Sequence, residues 1–327
     1  MKSPLILILL ITLSGYLHAQ HMANNTQPIA IVKRVIDIDY PSASAGLMKD
    51  NDNWWILGDD AAYVLQINPS VGNSYLTIPY KRPLRISDSN KENDARTVKQ
   101  TKLDWECFAS FSDTIHEHIW AFGSGSKKNK RDSGIYWLDG VPSKMSLDKL
   151  YEYLQMKVQL SERDWNLEGA ACSKNAIYLL NRRPSLLIWM PVDEWMRFIQ
   201  IGELPKTVNY TTIVLPKINN FSAGLSGATF DSKRNSIFFT SSVEVTDDPV
   251  RDGEILGSFV GEIKLSEPSR FEWISRLQDD SSNFMVTKLE SICIPPQKKN
   301  TPTTLFRCTS DNDDGTSQLL HIEVEIP

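Results

Sequence analysis

Five short stretches of this chain share one shape and recur at nearly equal intervals. The clearest is Leu167-Glu168-Gly169-Ala170-Ala171, a carboxylate at the head of a small apolar run. Leu289-Glu290-Ser291-Ile292-Cys293 and Trp105-Glu106-Cys107-Phe108-Ala109 repeat it. Leu225-Ser226-Gly227-Ala228-Thr229-Phe230 has Ser at the head, and Ala43-Ser44-Ala45-Gly46-Leu47 is a weaker echo. The anchors Ser44, Glu106, Glu168, Ser226 and Glu290 stand 62, 62, 58 and 64 residues apart. Near-constant steps mark a repeat architecture, whose units bury a core only by packing on one another.

Each repeat follows one script. A first strand starts at the anchor, and a polar turn such as Asp231-Ser232-Lys233-Arg234-Asn235 follows it. A second apolar strand returns, at Trp54–Leu57, Ile119–Phe122, Ile177–Leu180, Ile237–Thr240 and Leu305–Thr309. Third strands are expected at Tyr63–Ile67, Ile135–Leu138, Leu186–Met190, Phe259–Lys264 and Gln318–Ile326. Fourth strands are visible at Tyr75–Tyr80, Thr211–Leu215 and Phe271–Ile274. Four antiparallel strands repeated about a ring is the plan of a β-propeller, here all-β with five blades. The fifth repeat ends after its third strand, and the orphan strand Ile29–Asp39 can supply the fourth. That pairing of the N-terminal strand with the C-terminal blade would close the ring and hide two sheet edges. A sandwich gives no reason for a constant step.

Hydrophobic residues at 41% and charged residues at 23% describe a globular chain. The net charge of −5 offers none of the basic footprint of nucleic-acid binders. Residues 1–19 read as a secretory signal: Lys2 is the positive region, Leu5–Leu13 the apolar run, and Leu17-His18-Ala19 the cleavage site. The run is too short to span a bilayer. After cleavage we expect a periplasmic or secreted monomer with no membrane segment, a flexible stretch at 20–28 and one domain at 29–327. Cys107, Cys172, Cys293 and Cys308 form no CxxC, and three lie in anchor strands, so buried thiols are expected. Two insertions read as helices in outer connections, Leu147–Met156 after a Ser146 N-cap and Asp193–Phe198. Asp88–Thr101 reads as a charged loop and His116 and His118 as turn residues.

First strands line a propeller's channel, so the five anchors should meet near the axis. Three ionised Glu cannot share a narrow space unless protons or a cation neutralise them. Carboxylate and hydroxyl oxygens are hard donors and favour Ca²⁺. The metal ligands expected are therefore Ser44, Glu106, Glu168, Ser226 and Glu290. Second strands should deliver polar residues to the same mouth: Asp59-Asp60, Gly123-Ser124-Gly125-Ser126, Asn181-Arg182-Arg183, Ser241-Ser242-Val243-Glu244 and the run Ser310-Asp311-Asn312-Asp313-Asp314. That acidic run lacks EF-hand spacing. Arg182, Arg183, Lys127, Lys128 and Ser124 are the candidates for holding an anionic small molecule. Glu168 is the candidate base, with Asp59 and Asp311 for placing water or a second metal.

The order Ser, Glu, Glu, Ser, Glu at five blade starts resembles the calcium-activated nucleotidases, or soluble apyrases. The matching residues are Ser44-Ala45, Trp105-Glu106, Leu167 to Ala171, Leu225-Ser226-Gly227 and Leu289-Glu290, with Asp59-Asp60 and Asn181-Arg182-Arg183 at the mouth. The resemblance implies a secreted five-bladed propeller with one axial Ca²⁺ that hydrolyses nucleoside diphosphates and triphosphates. Ala45 departs from it, since a Glu is expected there, and so does Gly123-Ser124-Gly125-Ser126. With Asn166 to Ala171, Gly253 to Ser258 and Asp311 to Asp314, the chain is more similar to a family of exported bacterial propellers without an assigned activity. The expected function is a calcium-dependent hydrolase of phosphorylated or other anionic small molecules. The alternatives are a non-catalytic propeller that binds a partner or glycan, and a glycosidase using two ring carboxylates. No Ser-His-Asp set is visible.

Overall fold

The computed structural model describes residues 27–50, 53–81, 97, 99–246, 253–297, 303–311 and 316–326. The expected leader, residues 20–26 of the flexible stretch, most of the 88–101 loop and the acidic run after Asp311 lie outside them.

The chain is all-β, built from sets of four strands. After β1 (Ala30–Ile38) the first set holds β2 (Ala43–Met48), β3 (Trp54–Gly58), β4 (Tyr63–Asn68) and β5 (Gly72–Thr77). The second holds β6 (Trp105–Ser112), β7 (Glu117–Gly123), β8 (Ser133–Leu138) and β9 (Val141–Ser146). The third holds β10 (Leu167–Cys172), β11 (Ala176–Asn181), β12 (Leu186–Pro191) and β13 (Asn209–Thr212). A short hairpin, β14 (Lys217–Ile218) and β15 (Phe221–Ser222), leads to the fourth: β16 (Gly224–Asp231), β17 (Ser236–Glu244), β18 (Ile255–Lys264) and β19 (Trp273–Gln278). The last set is β20 (Leu289–Cys293), β21 (Thr303–Asp311), β22 (Ser317–Glu325) and β1.

The N-terminal strand thus takes the fourth place of the last set, as the missing strand there predicts. β1 and β22 pair antiparallel, from Ala30 opposite Val324 to Ile38 opposite Ser317. β1 also runs parallel to β19 at Ala30–Leu277 and Ile31–Gln278, joining the fourth and fifth sets into one sheet of eight strands.

Burial explains the strand patterns. β11 and β17 are buried along their whole length. A strand covered on both faces needs a continuous apolar run rather than alternation, and Ile177-Tyr178-Leu179-Leu180 and Ile237-Phe238-Phe239 supply it. β5, at an outer edge, is mostly exposed. The first strands touch in the order β2, β6, β10, β16, β20 and back to β2. Such close approach needs small residues. A Cβ on Gly227 would lie 2.7 Å from Thr240 Oγ1, 2.8 Å from Ser291 Cα and 2.9 Å from Glu290 O. One on Gly169 would come within 3.2 Å of the Gly227 carbonyl carbon.

Both insertions are helices, α1 (Asp148–Val158) and α2 (Val192–Ile201), but neither is an outer decoration. Leu150, Tyr151, Leu154, Val158, Trp195 and Phe198 belong to the core between the second and third sets. Trp195 packs edge-on to Trp120, with ring centroids 5.8 Å apart. Nor does Ser146 cap α1. Leu147 is the N-cap and makes no side-chain cap, while Ser146 Oγ donates to Asp148 Oδ1 at 2.5 Å. Packing, together with the Tyr151 hydroxyl donated to Gly123 O at 2.8 Å, holds this helix in place of a cap. β9 was not foreseen, because Val141-Pro142-Ser143-Lys144 carries little apolar signal. His118 lies in β7 and not in a turn.

Candidate metal centre

Every anchor falls at the same irregularity. The pairing of first and second strand shifts register between Ala43 and Ala45, Trp105 and Cys107, Leu167 and Gly169, Leu225 and Gly227, and Leu289 and Ser291. The skipped residues are Ser44, Glu106, Glu168, Ser226 and Glu290. A bulge leaves one residue unpaired and re-aims its side chain, which is why bulges gather beside active sites. Five bulges in register present five anchors at one end of the first strands. Ser44, Glu168, Ser226 and Glu290 are buried and Glu106 is partly exposed.

The residues two places before the anchors line the same site, and three of them contact their own anchor. Asn166 Nδ2 donates to Glu168 Oε1 at 2.7 Å, and Lys288 Nζ lies 3.0 Å from Glu290 Oε1. Ser44 Oγ donates to Ser42 O at 2.9 Å. At Gly224 a Cβ would come within 2.9 Å of Arg182 Cγ, so glycine clears the path of that side chain. Asp104, ahead of Glu106, takes Lys102 Nζ at 2.6 Å, Arg131 NH1 at 2.8 Å and the Ser124 hydroxyl at 2.5 Å.

Arg182 links Glu168, at 3.3 Å, to Glu244. Lys288 reaches the same Glu244 at 3.8 Å. Lys102 also lies 2.5 Å from Asp59 Oδ2. Six carboxylates (Asp59, Asp104, Glu106, Glu168, Glu244, Glu290) thus share one site with four cations (Lys102, Arg131, Arg182, Lys288). Fully ionised, the group carries two negative charges in excess. Glu106 makes no hydrogen bond or ion pair with the described residues. Among them, the group of three metal-capable side chains with ligand atoms within 4.8 Å of one another is Asp59, Asp104 and Glu106. Glu168 and Glu290 act on Glu106 through the field, without closing to that distance together with it.

The proton affinities follow. Burial pushes Glu106 well above the ordinary carboxylate range, and Glu168, Asp104, Asp59 and Glu290 add to it. Burial lifts Glu168 to about 7 against the pull of Arg182 and Lys288. It lifts Glu290 to about 8 against Lys288, with Glu168 adding to the rise. For Asp104 burial works upward, but Lys102 and Arg131 outweigh it and hold the group low. The donor set fits a hard divalent cation: carboxylates and hydroxyls at a buried site, the carboxylates outnumbering the cations six to four among the described residues.

The other predicted residues are placed as follows. Asp59 is tied to Lys102 at the more open side. Asp311 ends β21, next to Ser310, which pairs with Leu289. Arg183 donates to Thr246 O at 2.6 Å and Ser222 O at 3.1 Å. Lys128 pairs with Glu152 at 2.5 Å, and Lys127 is exposed. Ser124 is buried on Asp104. All four cysteines are buried and free. Sequence reading placed Glu244 at the mouth and missed four others: Lys102, Asp104, Asn166 and Lys288. The signal for three of them was present as a polar residue two places before an anchor.

Beyond the anchors the same five strands line a cavity of about 190 Å³, with Gly46, Ala109, Ala170, Thr229 and Cys293 among its walls.

The fold is similar to that of distant solved structures. A luciferin-regenerating enzyme shares 9% identity over 90% of this chain and 95% of its own, at a TM-score of 0.43. The PQQ-bound aldose sugar dehydrogenase of Streptomyces coelicolor shares 11% over 92% and 99%, at 0.43. A Cellvibrio cellulosa α-L-arabinanase mutant shares 7% over 86% and 90%, at 0.44. Likenesses this remote bring none of those chemistries to this chain. A comparison with curated proteins finds no match. A family model covers residues 39–324, from just before the first set to the end of the last, and by it the chain belongs to the family of unknown function DUF6929.

Proposed function

We propose that the five sets are the blades of one closed propeller, that Ser44, Glu106, Glu168, Ser226 and Glu290 hold one Ca²⁺ on its axis, and that the protein is an exported calcium-dependent hydrolase of phosphorylated or other anionic small molecules. One observation carries the reading: six clustered carboxylates face four cations among the described residues, and none of those cations makes an ion pair with Glu106. The five aligned bulges and the cyclic contact of the first strands support the ring.

When bound, Ca²⁺ would polarise a phosphoryl or carbonyl oxygen of the substrate. The chain supplies the rest. Asn166 and Arg182 orient Glu168, which would act as the base through a carboxylate oxygen not engaged by the metal. Asp59, on the open side, is placed to orient water. Exposed Lys127, with Lys128, would attract an anion to the mouth. A second reading, a structural calcium in a propeller that binds a partner or glycan, is favoured by the arginines. Arg182 and Arg183 are already engaged by carboxylates and carbonyls of the chain itself.

The test is equilibrium dialysis with Ca²⁺ and thermal unfolding with and without chelator. One bound ion and a chelator-sensitive melt are expected. Glu106→Gln, which leaves no cation without its partner, should weaken binding at least about tenfold, or ~1.4 kcal/mol. No bound ion and no chelator effect would refute the metal centre. A bound ion without turnover of nucleotides, phosphoesters, lactones or aryl glycosides would select the second reading.

A further inference from the structure

Lys102 sits where an additional ion would. Its Nζ lies 2.5 Å from Asp59 Oδ2 and 2.6 Å from Asp104 Oδ1. Ligand oxygens of those two residues and of Glu106 lie within 4.8 Å of one another. That is the spread expected around an ion bound at about 2.4 Å. The ammonium therefore takes an ion's place among three carboxylates, and the field of all three acts on it.

We infer that Lys102 is a tethered cation that closes this position, so that the hub loads one divalent ion and not two. The inference rests on the hub being a cation site and adds which residue sets the count. Counted fully ionised, as metal ligands bind, the ten charged groups named above leave two negative charges with Lys102 present, the charge of one Ca²⁺. Without it three remain, and Asp59 and Glu106 both face the vacated position with no ion pair among the described residues. Arg131 stays on Asp104 at 2.8 Å and does not refill the gap at Asp59. Lys102 reaches the site from just after the short helical turn Lys99–Thr101 and is 15% exposed, at the more open side of the hub.

Lys102→Met keeps the length of the stem and removes the charge. Calorimetric titration with Ca²⁺ should show one ion per chain for the wild type and two for the variant, with the second lost again when Asp59→Asn is added. Lys102→Arg, still charged, should stay at one. Lys102→Gln replaces the Met variant if far-UV circular dichroism shows the latter unfolded. A single ion in a folded Lys102→Met or Lys102→Gln protein overturns the inference and leaves the cation site standing. No Ca²⁺ bound by the wild type or by either variant overturns both.

Discussion

On one side of the anchor cluster, Arg182 and Lys288 lie among Glu168, Glu244 and Glu290; on the other, Lys102 and Arg131 pair with Asp59 and Asp104, beside Glu106. Each side sets three carboxylates against two cations. They differ in access. The Arg182 and Lys288 side chains are 10% and 9% exposed, against 15% for Lys102 and 20% for Arg131. On the closed side every carboxylate touches a cation. On the open side Glu106 touches none among the described residues. Equal formal charge thus gives one half in which every carboxylate is paired and another in which one is not.

The strongest way to break this contrast is Arg182→Ala. It leaves Glu168 and Glu244 buried, and urea unfolding should show a loss of about 3–5 kcal/mol. Removing the corresponding cation of the open half should cost less. Arg131→Ala leaves Asp104 with Lys102 and Ser124, so a loss nearer ~1.5–3 kcal/mol is expected. Equal losses would erase the distinction between the halves.

A pH series sharpens it further. Glu168 and Glu290 keep their protons in the fold up to about 7 and about 8, while the unfolded chain releases them near the ordinary carboxylate range. The folded state then binds more protons, so stability of the calcium-free protein falls as pH rises between those limits. Each group contributes at most about 1.4 kcal/mol per pH unit. Asp104, held low, acts oppositely and only in acid, where its stabilisation is lost as pH falls through its folded value. Added Ca²⁺ should flatten the neutral slope, since its ligands bind deprotonated. Unfolding free energies that rise from pH 5 to 8 without calcium would contradict the assignment.

Much of this was legible beforehand. The anchor spacing announced the repeat, and the missing fourth strand of the last repeat announced where Ile29–Asp39 would go. What stayed hidden was tertiary. The role of α1 and α2 in the core depends on Trp195 and Tyr151 meeting Trp120 and Trp165 across two sets, which no local period encodes. The inward engagement of Arg182 depends on Glu244, a residue 62 positions away. The bulges were hidden too, because a skipped residue leaves no mark in an apolar pattern.

Those bulges have a design consequence. A side chain within a regular ladder is bound to the inside-outside alternation of its strand, so changing its character disturbs a whole face. The five skipped positions stand outside that constraint. They behave as sockets: three hold an acid and two an alcohol, at the same point of the same register shift. A designer could change these positions one at a time without redrawing the sheets that carry them.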